Sequence, residues 1–159
     1  MITHYSLNEI KKELLEIPDK KLVELVIALA KYKRDNKEFL NYLLYYSSAV
    51  DVFINGILSE IDGHFEMINE QSNLYYSKKS LRKILRIINK YSKYIGDKSK
   101  TAQLLLYFCT KLKNSGLPYQ KSQTLINMYD SQIKKINKLI DSMHEDFKHD
   151  FQTDLDKLV

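Results

Sequence analysis

The sequence predicts an all-α protein, and three observations predict it. Apolar residues recur at helical spacing in nearly every segment. Only four Gly and two Pro punctuate 159 residues, which leaves few turns and favours long helices. No segment alternates strictly or places strand formers about a hairpin dipeptide; Asn55-Gly56 lies inside a helical pattern. A chain of this length is one domain by the usual prior, so the expectation is a single helical domain over 1–159. Such a domain buries about two-thirds of the surface its unfolded chain exposes and needs neither metal nor disulfide to hold a core.

The elements follow in order. Ser6-Leu7-Asn8-Glu9 has the form of a capping box and opens a short helix that runs to Ile17. Pro18 and Asp19 break it and start the next, in which Leu22, Leu25, Val26, Leu29 and Ala30 keep helical spacing. Asp35 and Glu38 repeat the cap pattern ahead of FLNYLLYY. From Val50, the residues Ile54, Ile57, Leu58, Ile61, Phe65 and Ile68 form another stripe, and the polar break QSN at 71–73 precedes the next helix. A basic helix follows, which Gly96 terminates. Ser99 is placed to cap the helix holding LLLYFC (104–109), and NSGLP (114–118) closes it. The run Ile126, Tyr129, Ile133, Ile136, Ile140, Met143 and Phe147 then reads as one face of a long last helix.

Six or seven helices joined by short turns result, and short turns make sequential neighbours antiparallel. A compact bundle fits this pattern, with an open stack of helix pairs as the alternative. The chain lacks the internal repeat of about 30–45 residues that stacked helix pairs carry, which ranks the bundle first.

The segments IPDKKLVELVIALAKYKRDNKEFLNYLL (17–44), KKSLRKILRIINKY (78–91), LLLYFCTKLK (104–113) and MHEDFKHDF (143–151) together resemble an all-helical bacterial family of unknown function. The resemblance spans nearly the whole chain. It implies a soluble, cytoplasmic helical protein and brings no activity or site residues with it.

Composition points the same way. The single Cys109 cannot form an internal disulfide and fits a reducing compartment. The N-terminal MITHYSLNEIKKELLEI lacks the charged-then-apolar order of a signal peptide, and no stretch approaches the length of a membrane span. The net charge of +5 is weaker evidence for a polyanion partner than it looks, because 22 Lys and 10 Asn match the bias of an AT-rich genome. Its distribution says more. Residues 47–76 hold five acids and no Lys or Arg, 77–100 nine bases and one acid, and 141–159 two bases and six acids.

Two clusters invite a catalytic or metal reading. Asp62, Glu66 and Glu70 share a helix face, as carboxylates do in helical metal-dependent hydrolases. Those sites need a second pair from a facing helix, and the nearest match is Asp141-Ser142-Met143-His144. His144 and His149 lie roughly 140° apart on a regular helix, so one ion cannot take both. His149 instead pairs with Glu145 one turn earlier as a solvated acid–imidazole contact. Phosphate-binding glycine motifs are missing, and Cys109 inside an apolar run is inert. The twelve tyrosines read mostly as core. No catalytic residue, metal ligand, cofactor or small-molecule substrate is therefore assigned.

One surface remains. In KKSLRKILRIINKYSKYIGDKSK (78–100), Leu81, Ile84, Leu85, Ile88, Tyr91 and Ile95 fall within about 120° of the helix circumference. Lys79, Arg82, Lys83, Arg86, Lys90 and Lys93 fall within about 100° opposite them, along roughly 21 Å of helix. A face kept only for solubility mixes signs, since like charges one turn apart cost tenths of a kcal/mol. Two of the three arginines sit here, and arginine suits bidentate phosphate contacts. Against this, the acidic helix 47–76 could lie alongside and neutralise the face. The reading that follows is a non-enzymatic interaction module presenting this face to an acidic protein or to a second copy of itself. A weak, sequence-independent nucleic-acid-associated protein is the alternative, and a metal-dependent helical hydrolase ranks third. No membrane partner is expected.

Overall fold

The computed structural model describes residues 1–69 and 73–158. All regular structure among them is helical, in eight α-helices and one 3-10 turn at Tyr119–Lys121. The α-helices are α1 (Leu7–Glu16), α2 (Asp19–Tyr32), α3 (Arg34–Tyr45), α4 (Val50–Asn69), α5 (Leu74–Ile95), α6 (Lys98–Asn114), α7 (Gln123–Asp141) and α8 (Glu145–Asp156). The break expected at QSN falls largely outside the described residues.

The count exceeds the expected six or seven because the long last helix is two. The Ser142 hydroxyl donates to the Leu139 carbonyl at 2.8 Å and competes with continuation of α7. His144 then takes an extended conformation and caps α8, whose first turn carries Glu145 and Asp146 against the positive helix end. The stripe is broken there, and Phe147 is 57% exposed.

Other caps follow the sequence with two shifts of position. At α1 the capping box forms in full: the Ser6 amide donates to Glu9 Oε2 at 2.8 Å, and the Glu9 amide to Ser6 Oγ at 3.4 Å. At α3 the helix starts two residues early, from an extended Lys33 with no side-chain cap, so Asp35 sits in the first turn instead of capping it. At α6 Asp97 is the cap, accepting the amides of Ser99 and Lys100 at 2.7 and 3.2 Å; Ser99 donates its hydroxyl to the same oxygen. Hydrogen bonding from Ser99 is the main cause holding the Asp97 carboxyl below its ordinary range. Gly96 ends α5 in the left-handed region at φ 70°, where a side chain is strained.

The chain forms two compact units, Met1–Ser47 and Ser48–Val159. In the first, α2 and α3 pack as a helical hairpin, with the Asn36 side-chain amide donating to the Leu29 carbonyl at 2.8 Å. Neither α1 nor α2 buries a residue, and α3 buries only Tyr42.

The second unit holds the core. Its centre is α6, which packs against α4, α5, α7 and α8 and buries seven of its residues. Leu104, Leu105, Phe108, Cys109 and Leu112 are each fully enclosed. The expected α4 stripe meets them through Ile54, Ile57, Ile61, Phe65 and Ile68, and Phe65 tilts against Phe108 with ring centres 6.0 Å apart. Among the described residues no helix is long and apolar enough to cross a membrane.

Candidate functional site

The basic face belongs to α5, a helix whose two sides are fully divided. Leu81, Ile84 and Ile88 are 0% exposed on the core side, and Tyr91 stacks edge-on against Phe53 of α4 at 5.3 Å. On the other side Lys79, Arg82, Lys83, Arg86 and Lys93 are exposed. Lys90, within the basic arc, is half-buried, its ammonium 4.7 Å from the Tyr91 ring centre.

Whether this face is neutralised depends on where α4 sends its acids. Asp51 pairs with Lys100 at 2.6 Å and Asp62 with Lys111 at 2.7 Å, and both lysines are on α6. The Tyr107 hydroxyl of α6 also donates to Asp62, at 2.7 Å. These two carboxylates are spent on α6. Glu60 lies on the opposite side of α4 from them, beside His64. Among the described residues no carboxylate comes within ion-pair distance of Lys79, Arg82, Lys83, Arg86 or Lys93.

The positive field extends past α5 on both sides. His64 of α4 is buried, and burial first, then the charge of Lys83, lowers its pKa despite Glu60 nearby, so it is neutral at pH 7. On the other flank the Lys135 ammonium of α7 donates to Asn89 of α5 at 2.6 Å. Partial burial and then the Lys93 charge lower the Lys135 pKa.

Two tyrosines absent from the sequence-derived set share this face. Tyr75 is 68% and Tyr76 54% exposed, with ring centres 5.5 Å apart in an edge contact. Tyr75 lies 18 residues before Lys93, five helical turns, and so falls in line with it. The same wheel that segregates the bases would have found it; reading the tyrosines collectively as core hid it.

The other candidates separate. Asp62 faces Tyr107 and Lys111, Glu66 is exposed, and Glu70 lies outside the described residues. His144 caps α8 through Nδ1, which accepts the Asp146 amide at 3.5 Å, and it is not on a common helix with His149. Glu145 pairs with Lys148 at 3.1 Å rather than with His149. Among the described residues no group of three or more His, Cys, Asp or Glu gathers at metal-holding distance. Burial pushes the Cys109 thiol up to about 12, which leaves it protonated and unreactive. A groove of about 560 Å³ between α4, α6 and α8 is mainly apolar. Its Lys113 is committed to the carbonyls of Lys157 and Leu158 at 3.0 and 3.2 Å.

The Asp62 cluster is a structural tie with a testable pH signature. Burial raises the carboxyl pKa, but hydrogen bonds from Lys111 and Tyr107 and the Lys111 charge lower it further, for a net depression. A depressed carboxyl stabilises the fold above its unfolded pKa of about 3.9, and the contribution is lost as pH falls through the folded value. The pair is over a third exposed, so its worth is discounted to about 0.5–1 kcal/mol. Asp62→Asn is expected to lower the unfolding free energy from urea titration by that amount at neutral pH and to match the parent well below pH 4, by about pH 2. An equal loss at both pH values would mean that packing, not charge, is involved.

Comparison with known proteins gives no significant match to any family model, curated protein or solved structure.

Proposed function

We propose that this protein is a non-enzymatic helical interaction module, acting in the cytoplasm, that presents the basic face of α5 to an acidic partner. The observation that carries the reading is the commitment of Asp51 and Asp62 to α6, which leaves Lys79, Arg82, Lys83, Arg86 and Lys93 open. A row of like charges along one helix opposes itself by a few tenths of a kcal/mol at each one-turn pair. A partner that supplies negative charge relieves this repulsion and releases counterions. The buried, protonated Cys109 supports a setting that does not rely on oxidation.

An acidic protein surface or a second copy of the chain supplies such charge. For a second copy, α8 is the complementary element: its Asp150 is exposed and unpaired among the described residues, as is Asp141 at the end of α7. Nucleic acid is the alternative source.

The test is charge reversal. The protein is expected to bind a soluble polyanion, polyglutamate or an oligonucleotide, at about 10⁻⁴ to 10⁻⁶ M near physiological salt, with affinity falling steeply as salt rises. Arg82→Glu combined with Arg86→Glu should abolish binding while circular dichroism shows unchanged helicity. If neither polyanion binds at low salt, or if the double variant binds as well as the parent, the face is only the solvated side of a helix.

A further inference from the structure

We infer that α5 is a track for single-stranded nucleic acid, on which Tyr75 provides a base-stacking platform and the basic row holds the phosphates. The inference rests on the proposed role of this face and selects one class of partner for it.

Three observations favour this occupant over an acidic protein. The first is the pair of exposed rings in line with the charges. Tyr75 is 68% exposed although the core lies on the opposite side of its own helix. An exposed ring offers a base a π-face irrespective of sequence, worth about 5- to 100-fold in affinity per stacked base. Carboxylate side chains have no such surface to offer. The second is the linear arrangement. From Tyr75 to Lys93 the face runs about 27 Å with cations every three or four residues, a geometry suited to a linear polyanion. The third is composition, since Arg82 and Arg86 stand at the middle of the row in a chain of 22 Lys and three Arg. Guanidinium groups bind phosphate through two parallel donors and also stack on bases, which ammonium groups do not.

Single strands are favoured over duplex for a physical reason. In a duplex the base faces are stacked on one another, so Tyr75 could reach only the backbone. A single strand can turn a base onto the ring while its phosphates follow the lysines and arginines.

Fluorescence anisotropy of a labelled oligothymidylate of about 20 nucleotides tests this, with a duplex of equal phosphate number and polyglutamate as comparisons. Five open cations, each displacing about 0.7 counterion, set an upper slope of about −3.5 for log K against log salt. Tyr75→Ala is expected to weaken oligothymidylate binding about 5- to 100-fold at an unchanged slope, because the ring carries no charge. Tyr75→Phe should retain most of it. Arg82→Gln with Arg86→Gln should instead flatten the slope by about 1.4. The single-strand inference is overturned if the duplex or polyglutamate binds as tightly as oligothymidylate, or if Tyr75→Ala changes nothing; the basic-face reading then survives provided Arg82→Glu with Arg86→Glu still abolishes binding. If no polyanion binds, both fall.

Discussion

Replacing Phe108 with alanine is expected to destabilise the Ser48–Val159 unit by about 3–5 kcal/mol, a large share of the roughly 5–15 kcal/mol that holds a domain together. Phe108 is 0% exposed on α6, the helix that α4, α5, α7 and α8 surround, and its ring meets Phe65 at 6.0 Å. Truncation removes the apolar burial and leaves a cavity that four packed neighbours cannot close without moving together. The measurement is the urea midpoint at constant m-value. Phe147→Ala is the control: at 57% exposure its loss should stay within about 0.5 kcal/mol. A Phe108→Ala loss under about 1 kcal/mol would mean that α6 is not the centre of the core.

That contrast shows what periodicity can and cannot read. Phe147 extends the seven-residue spacing of Ile126, Ile133 and Ile140, yet a turn at Ser142–His144 removes it from the core. No Gly or Pro marks the turn. The local signals there are Ser142, His144 as a cap and the acids at 145 and 146, each weak singly and decisive only together. By contrast, the stripes of α4 and α5 were legible because burial and helical period coincide over twenty residues or more.

The basic face was legible for the same reason, but its electrostatic state was not. Asp51 and Asp62 lie within about 20° of each other around α4, whereas Glu60 and His64 lie on the far side. A wheel separates these two groups readily. Which of them meets α5 and which meets α6 depends on the order of packing around the core, and α6 is remote in sequence from α4. The answer, Asp51 and Asp62 toward α6 and His64 within reach of the Lys83 charge, is tertiary information.

Separating the chain between Ser47 and Ser48 is expected to divide it unequally. A fragment of residues 48–159 should keep a cooperative thermal transition close to that of the full chain, because every fully enclosed side chain of the core lies within it. A fragment of residues 1–47 should be mostly unfolded at micromolar concentration. Its helices are 10, 14 and 12 residues long, near or below the roughly 12–15 residues at which isolated helices become marginal. At 47 residues the unit is also close to the limit of about 40 below which a chain needs outside support to fold. The capping box at Ser6 and Glu9 and the Arg34–Glu38 pair at 2.8 Å add only about 1 kcal/mol or less each, too little to offset backbone ordering of about 1–2 kcal/mol per residue. Apolar burial would have to make up the difference, yet Leu7, Ile10 and Leu14 on α1 and Val26, Leu29 and Leu43 on the hairpin all stand exposed. Far-ultraviolet circular dichroism of the two fragments against the intact chain decides the matter. Loss of the cooperative transition from 48–159 would show that the whole of 1–159 folds as one domain.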